Sequence, residues 1–206
     1  MKVLMFNGSP KANGCTYTAL CEMAKVLQEE GIETEIMHVG GKPQGGCMGC
    51  GGCGTTGECV YGGMVVEAAK KLEQADAVVF GSPVHYASIS GNMMGLLHRL
   101  SWSAGKYLKY KPAAMVVSAR RAGTTSALDE IAKIPEFFHM PLINGNYWPM
   151  VHGSTPEDVK KDEEGLQTVR NIARNMAWIL KCIEAGKEKG IVHPEPEAQI
   201  RTNFIK

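Results

Sequence analysis

Three short runs of consecutive apolar residues, each ended by a turn containing serine, limit the folds open to this chain. The runs are Val3–Phe6, Ala77–Phe80 and Ala113–Val117. Unbroken apolar runs of this length are typical of strands that are covered on both faces, as in a parallel sheet between two layers of helices. The runs therefore predict an α/β protein with a doubly wound, three-layer sandwich.

The segments between these runs show the apolar spacing of helices, and two more strands complete the pattern. We predict the further strands at 34–39 and 141–148, and helices at 16–30, 64–74, 91–102, from 124 or 125 onward, and 156–185. One domain is expected over 1–186. The segment 187–206, which contains Pro194 and Pro196, is expected to form a tail that packs on the domain or on a partner subunit.

The chain has 206 residues, enough for one domain with a full core, and a formal net charge of +1. A charge so close to zero provides no general attraction for nucleic acid or for an anionic membrane. No stretch approaches the roughly 18 apolar residues that a transmembrane helix needs. The apolar run that starts at Met1 is too short for a secretion signal, so we expect a cytoplasmic protein.

The loop after the first predicted strand, residues 8–16, is suited to an anion. It leads into a helix N-terminus, where free amides and the positive end of the helix dipole favour negative charge. The hydroxyls of Ser9 and Thr16, together with Lys11 and Asn13, make a phosphate the natural ligand. The loop matches neither a Walker loop nor the glycine pattern of a dinucleotide site. The alternative interpretation is an ordinary capped strand-to-helix turn.

A second unusual loop, residues 81–90, follows the third predicted strand. Pro83 fixes its backbone, while His85 and Tyr86 can supply a flat, partly polar wall for a ring. The alternative for His85 is a hydrogen-bonded loop histidine without a role in proton transfer.

A third loop, residues 118–124, contains Arg120 and Arg121, whose alternative interpretation is a solvated basic turn. The carboxyl ends of parallel strands share one edge of a sheet, and ligands bind there at the switch point of strand order. We therefore expect the loops at 7–15, 81–90 and 118–124 to meet and to enclose one ligand.

A glycine-rich loop, residues 45–63, contains four cysteines with spacings of two, two and five residues: Cys47, Cys50, Cys53 and Cys59. A chain without a secretion signal is not expected to use them in disulfides. So compact a run suits a cubane iron–sulfur cluster better than the paired knuckles of zinc. The alternative is a reduced, metal-free loop. Cys15 lies in the first loop, whereas Cys21 and Cys182 lie on predicted helices and are expected in the core.

Together these motifs resemble the iron–sulfur flavoproteins of the flavodoxin-like, NADPH-dependent FMN reductase superfamily. The resemblance covers most of the chain. It rests on the four cysteines and on Gly8-Ser9-Pro10, Ser82-Pro83-Val84, Leu97-His98-Arg99 and Glu163-Glu164-Gly165-Leu166-Gln167. It implies a flavodoxin-like, five-stranded parallel sheet of order 2-1-3-4-5, bound FMN, NAD(P)H as co-substrate, and a homodimer or homotetramer.

The resemblance also implies which residues hold the cofactors. The FMN phosphate would lie against Ser9, Lys11, Asn13, Cys15, Thr16 and Thr18. The flavin ring and ribityl chain would be bordered by Pro83, Val84, His85, Tyr86 and Ser88, and on the other side by Ser118, Arg120, Arg121 and Gly123. A [4Fe–4S] cluster would be ligated by Cys47, Cys50, Cys53 and Cys59. Candidates for orienting a substrate are His85, Tyr86 and Arg120.

The chain departs from the family pattern at two places. Gly62 and Gly63 stand where family members often have consecutive aspartates, which weakens the structural case around the cysteine loop. The loop 118–124 is more basic than the glycine-rich loop common in the family. The extra positive charge is expected to change the flavin potential or the preferred charge of the substrate.

Three functions agree with the sequence. The first is an FMN-dependent oxidoreductase that passes electrons from NAD(P)H or a reduced carrier protein to a small, quinone-like acceptor, directly or through a cluster. The second is a non-enzymatic flavin and iron–sulfur electron carrier that works with ferredoxin. The third is a module that binds a phosphate-containing ligand on the same sheet, with zinc at the cysteines.

Overall fold

The computed structural model describes residues 1–204. Its five parallel strands have the spatial order β2-β1-β3-β5-β6. Their bounds are β1 Lys2–Asn7, β2 Glu33–His38, β3 Ala77–His85, β5 Ala113–Ala119 and β6 Met150–His152. A two-residue strand, β4 (Ser88–Ile89), pairs antiparallel with the end of β3. When the parallel strands alone are numbered, leaving out β4, this order is the predicted 2-1-3-4-5 of the flavodoxin-like fold. The predicted architecture is therefore confirmed.

Helices cover both faces of the sheet. Their bounds are α1 Cys15–Glu29, α2 Cys53–Thr56, α3 Met64–Glu73, α4 Gly91–Ala104, α5 Thr124–Phe137, α6 Pro156–Val159 and α7 Glu163–Glu188. Successive side chains of a strand point to opposite faces. In β1, Val3 and Met5 therefore pack with α1 and α7, whereas Leu4 and Phe6 pack with α3, α4 and α5.

The prediction of the fifth strand at 141–148 was wrong. Leu142 makes a single bridge to Ala113, and the strand itself begins at Met150. The intervening sequence contains Asn144-Gly145-Asn146, which is typical of a turn. Tyr147 and Trp148 are more than half exposed, so they add little to the core.

The last predicted helix is broken into α6 and α7, because the sequence contains two helix starts. Thr155 caps α6 in a capping box with Asp158, and Asp162 caps α7 by accepting the amide of Gly165 at 3.0 Å. Helix α7 continues to Glu188, past the predicted domain boundary.

Of the predicted tail 187–206, residues 187 and 188 belong to α7, and residues 205 and 206 lie outside the described residues. Residues 189–204 contain no helix or strand. The ring of His193 stacks on Tyr110 with 4.2 Å between the ring centroids, so the tail contacts the domain there. Within residues 1–204, no helix is both long and apolar enough to cross a membrane.

The register of the sheet brings the carboxyl ends of the strands to one edge. Asn7 lies opposite Gly81, and Ser118 lies between Pro83 and Val151. The loops that follow β1, β3, β5 and β6 therefore start side by side.

Candidate functional site

A cleft of about 210 Å³ opens at the carboxyl edge of the sheet. Its walls come from the ends of β1, β3, β5 and β6 and the loops that follow them. The residues that line it are Ser9, Pro10, Lys11, Gly14, Cys15, Pro83, Val84, His85, Ser118, Ala119, Arg120, Gly153, Ser154 and Pro156. The structure thus brings the three predicted loops together at one site.

The loop after β1 is held in shape by the buried side chain of Asn7. Its Oδ1 accepts the amide of Ser9 at 3.1 Å, and its Nδ2 donates to the carbonyl of Ala12 at 2.9 Å. His38, at the end of β2, places Nε2 2.8 Å from the carbonyl oxygen of Ser9. These contacts within the protein define the shape of the loop.

Helix α1 begins at this loop without a capping side chain. Its N-cap residue is Gly14, and no side chain accepts a hydrogen bond there. Within residues 1–204, the amides of Thr16 and Tyr17 have no protein acceptor. These amides and the positive end of the helix dipole remain available beside the cleft, an arrangement that fits a phosphate group.

Buried hydroxyl groups join the loops to one another. Thr16 and Ser118 share a hydrogen bond of 2.8 Å, which ties the start of α1 to the end of β5. Ser90 donates its hydroxyl to the carbonyl of Gly8 at 2.7 Å, and its amide donates to the hydroxyl of Ser82 at 2.9 Å. Removing one partner would leave a buried polar group unpaired, at a cost of about 1–3 kcal/mol.

The second predicted loop is a β-hairpin. Strand β3 continues to His85 and turns back through Tyr86 and Ala87 into β4. Both turn residues are left-handed, with φ of 51° and 61°. The hairpin places His85 on the cleft wall and directs the side chain of Tyr86 into solvent.

The third loop supplies positive charge. Arg120 and Arg121 directly follow β5, and both are exposed. Arg120 lines the cleft, but Arg121 does not. Of the two arginines in this loop, only Arg120 therefore contributes positive charge to the cleft.

A fourth wall, made by Gly153, Ser154 and Pro156, was missed because the fifth strand was misplaced. The amides of Ser154 and Thr155 each donate to the Asp158 carboxylate at 3.1 Å. These hydrogen bonds hold the pKa of Asp158 below its usual value. The Thr-x-x-Asp spacing after Ser154 is a helix-start signal that could have located this wall.

Several predicted FMN-contact residues lie off the cleft surface: Asn13, Thr16, Thr18, Tyr86, Ser88, Arg121 and Gly123. Three of them are engaged elsewhere. The Thr18 hydroxyl donates to the Gly14 carbonyl at 3.1 Å, and the Ser88 hydroxyl donates to Glu130 at 2.7 Å. Gly123, with φ of 89°, packs so closely under the hairpin that a Cβ would lie 2.7 Å from the Cα of Ala87.

The four clustered cysteines line a second cavity, of about 60 Å³, between their loop and α4. Arg99 donates to Cys59 Sγ at 3.3 Å and to the carbonyl of Gly62 at 2.7 Å. Cys53 Sγ lies 3.6 Å from the carbonyl oxygen of Trp102. These contacts hold the cysteine loop against α4.

The thiols of the cysteine loop do not converge on a position that a single metal ion could occupy. Within residues 1–204, no three His, Cys, Asp or Glu side chains are grouped closely enough to hold one metal ion. The thiolates of a cubane cluster are spaced more widely than the ligands of a single zinc ion. Four thiols on the walls of one cavity are the donor set that a cubane cluster uses.

The prediction that Cys21 and Cys182 are core residues was wrong. Cys182 is exposed, because the buried stripe of α7 ends at Leu180, and Cys21 is only partly buried on α1. Cys15 is partly buried beside the cleft, with Sγ 3.6 Å from the carbonyl oxygen of Gly153. Burial raises the pKa of the Cys15 thiol, so this thiol is neutral near pH 7.

Iodoacetamide is expected to alkylate Cys15 more slowly than Cys182 near neutral pH. The reactive species is the thiolate, and burial disfavours it at Cys15. Mass spectrometry of the peptides that contain each cysteine, sampled over time, measures both rates in one reaction. Equal rates would show that Cys15 is neither shielded nor held neutral.

A family model described as NADPH-dependent FMN reductase matches residues 1–155. The matched span includes the three predicted loops and the cysteine loop. It ends within the fourth wall, after Ser154 and before Pro156.

Relatives match beyond this span. An iron–sulfur flavoprotein of Methanocaldococcus jannaschii is 34% identical over 194 residues, which cover 89% of this chain and 100% of the relative. An iron–sulfur flavoprotein of Methanosarcina thermophila is 23% identical over 193 residues, which cover 92% and 100% of the two chains.

Among solved structures, the flavoenzyme NAD(P)H:(acceptor) oxidoreductase FerB of Paracoccus denitrificans superposes with a TM-score of 0.64. The match covers 88% of this chain and 97% of that chain. At 14% sequence identity, this likeness shows a shared fold.

Proposed function

The chain belongs to the NADPH-dependent FMN reductase family, in its iron–sulfur flavoprotein branch, and we propose that it binds FMN in the cleft and passes electrons from NAD(P)H or a reduced carrier protein to a small acceptor. Family membership makes the chain an FMN-dependent oxidoreductase. The location of the site is supported by one observation above all, the meeting of the loops after β1, β3 and β5 around the uncapped start of α1.

The loop after β1 would hold the phosphate. Ser9 Oγ accepts the amide of Lys11 at 3.1 Å, which leaves its hydroxyl proton free to donate to a phosphate oxygen. Lys11 and Asn13 are exposed at the mouth of the loop and would add charge and an amide donor. Thr16 and Thr18 would act indirectly, by fixing the start of α1.

The ring would lie at the edge of the sheet, between the loops that follow β3 and β5. Pro83, Val84 and His85 form one wall, and Ser118 and Arg120 belong to the other. When bound, FMN supplies the electron transfer itself, while the protein positions it and tunes its electronics. Arg120 places positive charge at the side of the cleft where the ring would lie, so it would favour negative charge on the bound ring.

The cysteine loop would hold a [4Fe–4S] cluster through Cys47, Cys50, Cys53 and Cys59. This proposal is supported by the four thiols on the walls of one cavity and by the iron–sulfur flavoproteins among the relatives. Arg99 would donate to one ligating sulfur. Hydrogen bonds and positive charge near cluster sulfurs are among the factors that set a cluster's potential.

The cellular location, the number of subunits and the partners are proposed from the same family resemblance. We propose a cytoplasmic homodimer or homotetramer that acts on small acceptors, with a reduced carrier such as ferredoxin as a further donor. The tail 187–206 would pack on the domain or on a partner subunit. Its contact between His193 and Tyr110 supports the first arrangement.

Steady-state oxidation of NAD(P)H tests the proposal. Purified protein loaded with FMN is expected to oxidise NAD(P)H rapidly when a small acceptor is present. Protein without added flavin is the control, and it should show little turnover.

Slow turnover with NAD(P)H, combined with fast reduction by ferredoxin, would contradict the enzyme and support the carrier. The exposed edge of the cysteine cavity favours this alternative, because Trp102 and Tyr61 border it and are largely open to solvent. Failure to bind FMN at all would exclude both functions.

A further inference from the structure

The end of the tail carries two large apolar side chains that are open to solvent. The exposed fraction is 91% for Ile200 and 92% for Phe204. The two residues are four positions apart, so they lie on one side of the chain whether it is extended or helical. Large apolar side chains that are exposed together indicate an interaction site. A surface that accepts both side chains at once would explain them.

A groove of about 400 Å³ between α4 and α5 is such a surface. The residues that line it are Ser101, Trp102, Lys133, Ile134, Phe137 and Phe138. Two of its aromatic side chains are mostly exposed, Trp102 at 70% and Phe137 at 72%. A hydrophobic groove between helices is a common binding site for the apolar side chains of a peptide segment. The groove therefore has the chemistry to accept Ile200 and Phe204.

The tail leaves the domain next to this groove. His193 of the tail stacks on Tyr110, and the amide of Tyr110 donates to the carbonyl of Phe138 at 3.3 Å. The short 3-10 helix after α4, Gly105–Tyr107, also packs against Phe138, because a Cβ at Gly105 would lie 2.5 Å from its ring. Since Phe138 lines the groove, the residues that follow His193 start beside it.

The distribution of charge favours the tail on this side of the molecule. Lys106 and Lys109, which follow α4, line a pocket together with Glu195 of the tail. Neither α4 nor the segment 105–112 contains an acidic residue, whereas Glu197 adds a second carboxylate to the tail. Opposite charges on the two surfaces attract one another before contact and guide their approach.

We propose that this groove binds the tail of a second copy of the chain, with Ile200 and Phe204 as the anchors. The anchors and the groove are exposed at the same time, so the chain's own tail does not cover the groove. Two copies related by a twofold axis would exchange tails, and each groove would receive the anchors of the other copy. The tail then has two contacts, one with its own domain at Tyr110 and one with the partner.

The area available is enough for such an exchange. The rings of Trp102, Phe137 and Phe204 bury about 150 Å² each, so a reciprocal pair of exchanges covers roughly 1,000 Å². That area is close to the lower limit for a specific protein interface. The exchange goes beyond the proposed function, because neither FMN nor electron transfer takes part in it.

Sedimentation velocity of the FMN-loaded protein over a concentration series measures the dimer Kd. Phe204→Ser and Phe137→Ser are each expected to raise this Kd by about tenfold or more, because each removes an aromatic anchor from the contact. The variant with both changes should be no weaker than the single variants, since the two side chains meet in one contact. Val192→Ser is the matched control, because Val192 is equally exposed tail but precedes the His193 contact, and its Kd should equal that of the wild type.

A wild type that stays monomeric at every concentration would overturn the exchange. Effects of Phe204→Ser and Phe137→Ser that simply add would also overturn it, because the two residues would then act at separate places. Both side chains are exposed, so the variants should keep the wild-type melting temperature and the loss of association cannot come from unfolding.

Photo-crosslinking identifies the occupant of the groove. With p-benzoylphenylalanine in place of Phe204, the full-length protein is expected to form links to peptides of α4 and α5 in a species of twice the chain mass. The same links within a single chain would show that its own tail fills the groove, and would overturn the exchange. Absence of links to α4 and α5 would rule out this groove as the binding site. No outcome depends on flavin turnover, so failure here leaves the proposed function intact.

Discussion

Gly40→Ala is expected to weaken FMN binding by about 100-fold or more. A Cβ at Gly40 would overlap the carbonyl group of Ser9 and would lie 2.6 Å from the carbonyl oxygen of Gly8. Both neighbours are backbone atoms, so the loop after β1 must move away from the start of α1. Loss of two hydrogen bonds to a charged phosphate, at about 1.5 kcal/mol or more each, accounts for the factor. Fluorescence titration of the apoprotein with FMN measures it.

Gly45→Ala is the matched control, because it lies in the same connecting segment and a Cβ there would meet nothing within 4 Å. Its FMN affinity and melting temperature should equal those of the wild type. His38→Ala is a milder second variant, which removes only the ring that lies against the Ser9 carbonyl. A folded Gly40→Ala protein with wild-type affinity would mean that the phosphate does not bind at this loop.

The sheet could be predicted because its strands are fully buried. Val3–Phe6, Ala77–Phe80 and Ala113–Val117 have the unbroken apolar sequence that is typical of a covered strand. The fifth strand is only three residues long and has a partly buried pattern. A run of that length gives no period to detect.

The position of the site could be predicted, but not the contacts within it. Three loops after three strands must share an edge, and they do. Hydrogen bonds between residues that are far apart in the sequence decide which hydroxyl groups face the cleft. The bond between Thr16 and Ser118 is an example. The hairpin at Tyr86 was also hidden, because its sequence lacks the glycine that normally marks such a turn. The stabilising residue, Glu130, lies more than forty residues away.

Cys53→Ser is expected to remove nearly all iron from anaerobically purified protein and to leave FMN binding intact. The wild type should contain iron and sulfide in equal amounts, since a cubane cluster holds as many sulfides as irons. Cys53 begins α2 and lies on the wall of the cysteine cavity, so loss of its thiolate leaves the cluster one ligand short. The FMN cleft is lined by an entirely different set of residues, so its affinity should not change. Iron, sulfide and flavin are measured on the same sample.

Cys182→Ser is the matched control, because Cys182 is equally a free thiol but is exposed on α7, and its iron content should match the wild type. The metal found distinguishes the three interpretations of the loop. Zinc without sulfide would contradict the cluster and would require the loop to close around one ion, since no such group exists within residues 1–204. Absence of iron and sulfide from strictly anaerobic wild-type protein would leave a metal-free loop. In that case electrons would leave the flavin directly at the mouth of the cleft, and Cys53→Ser would have no effect on turnover.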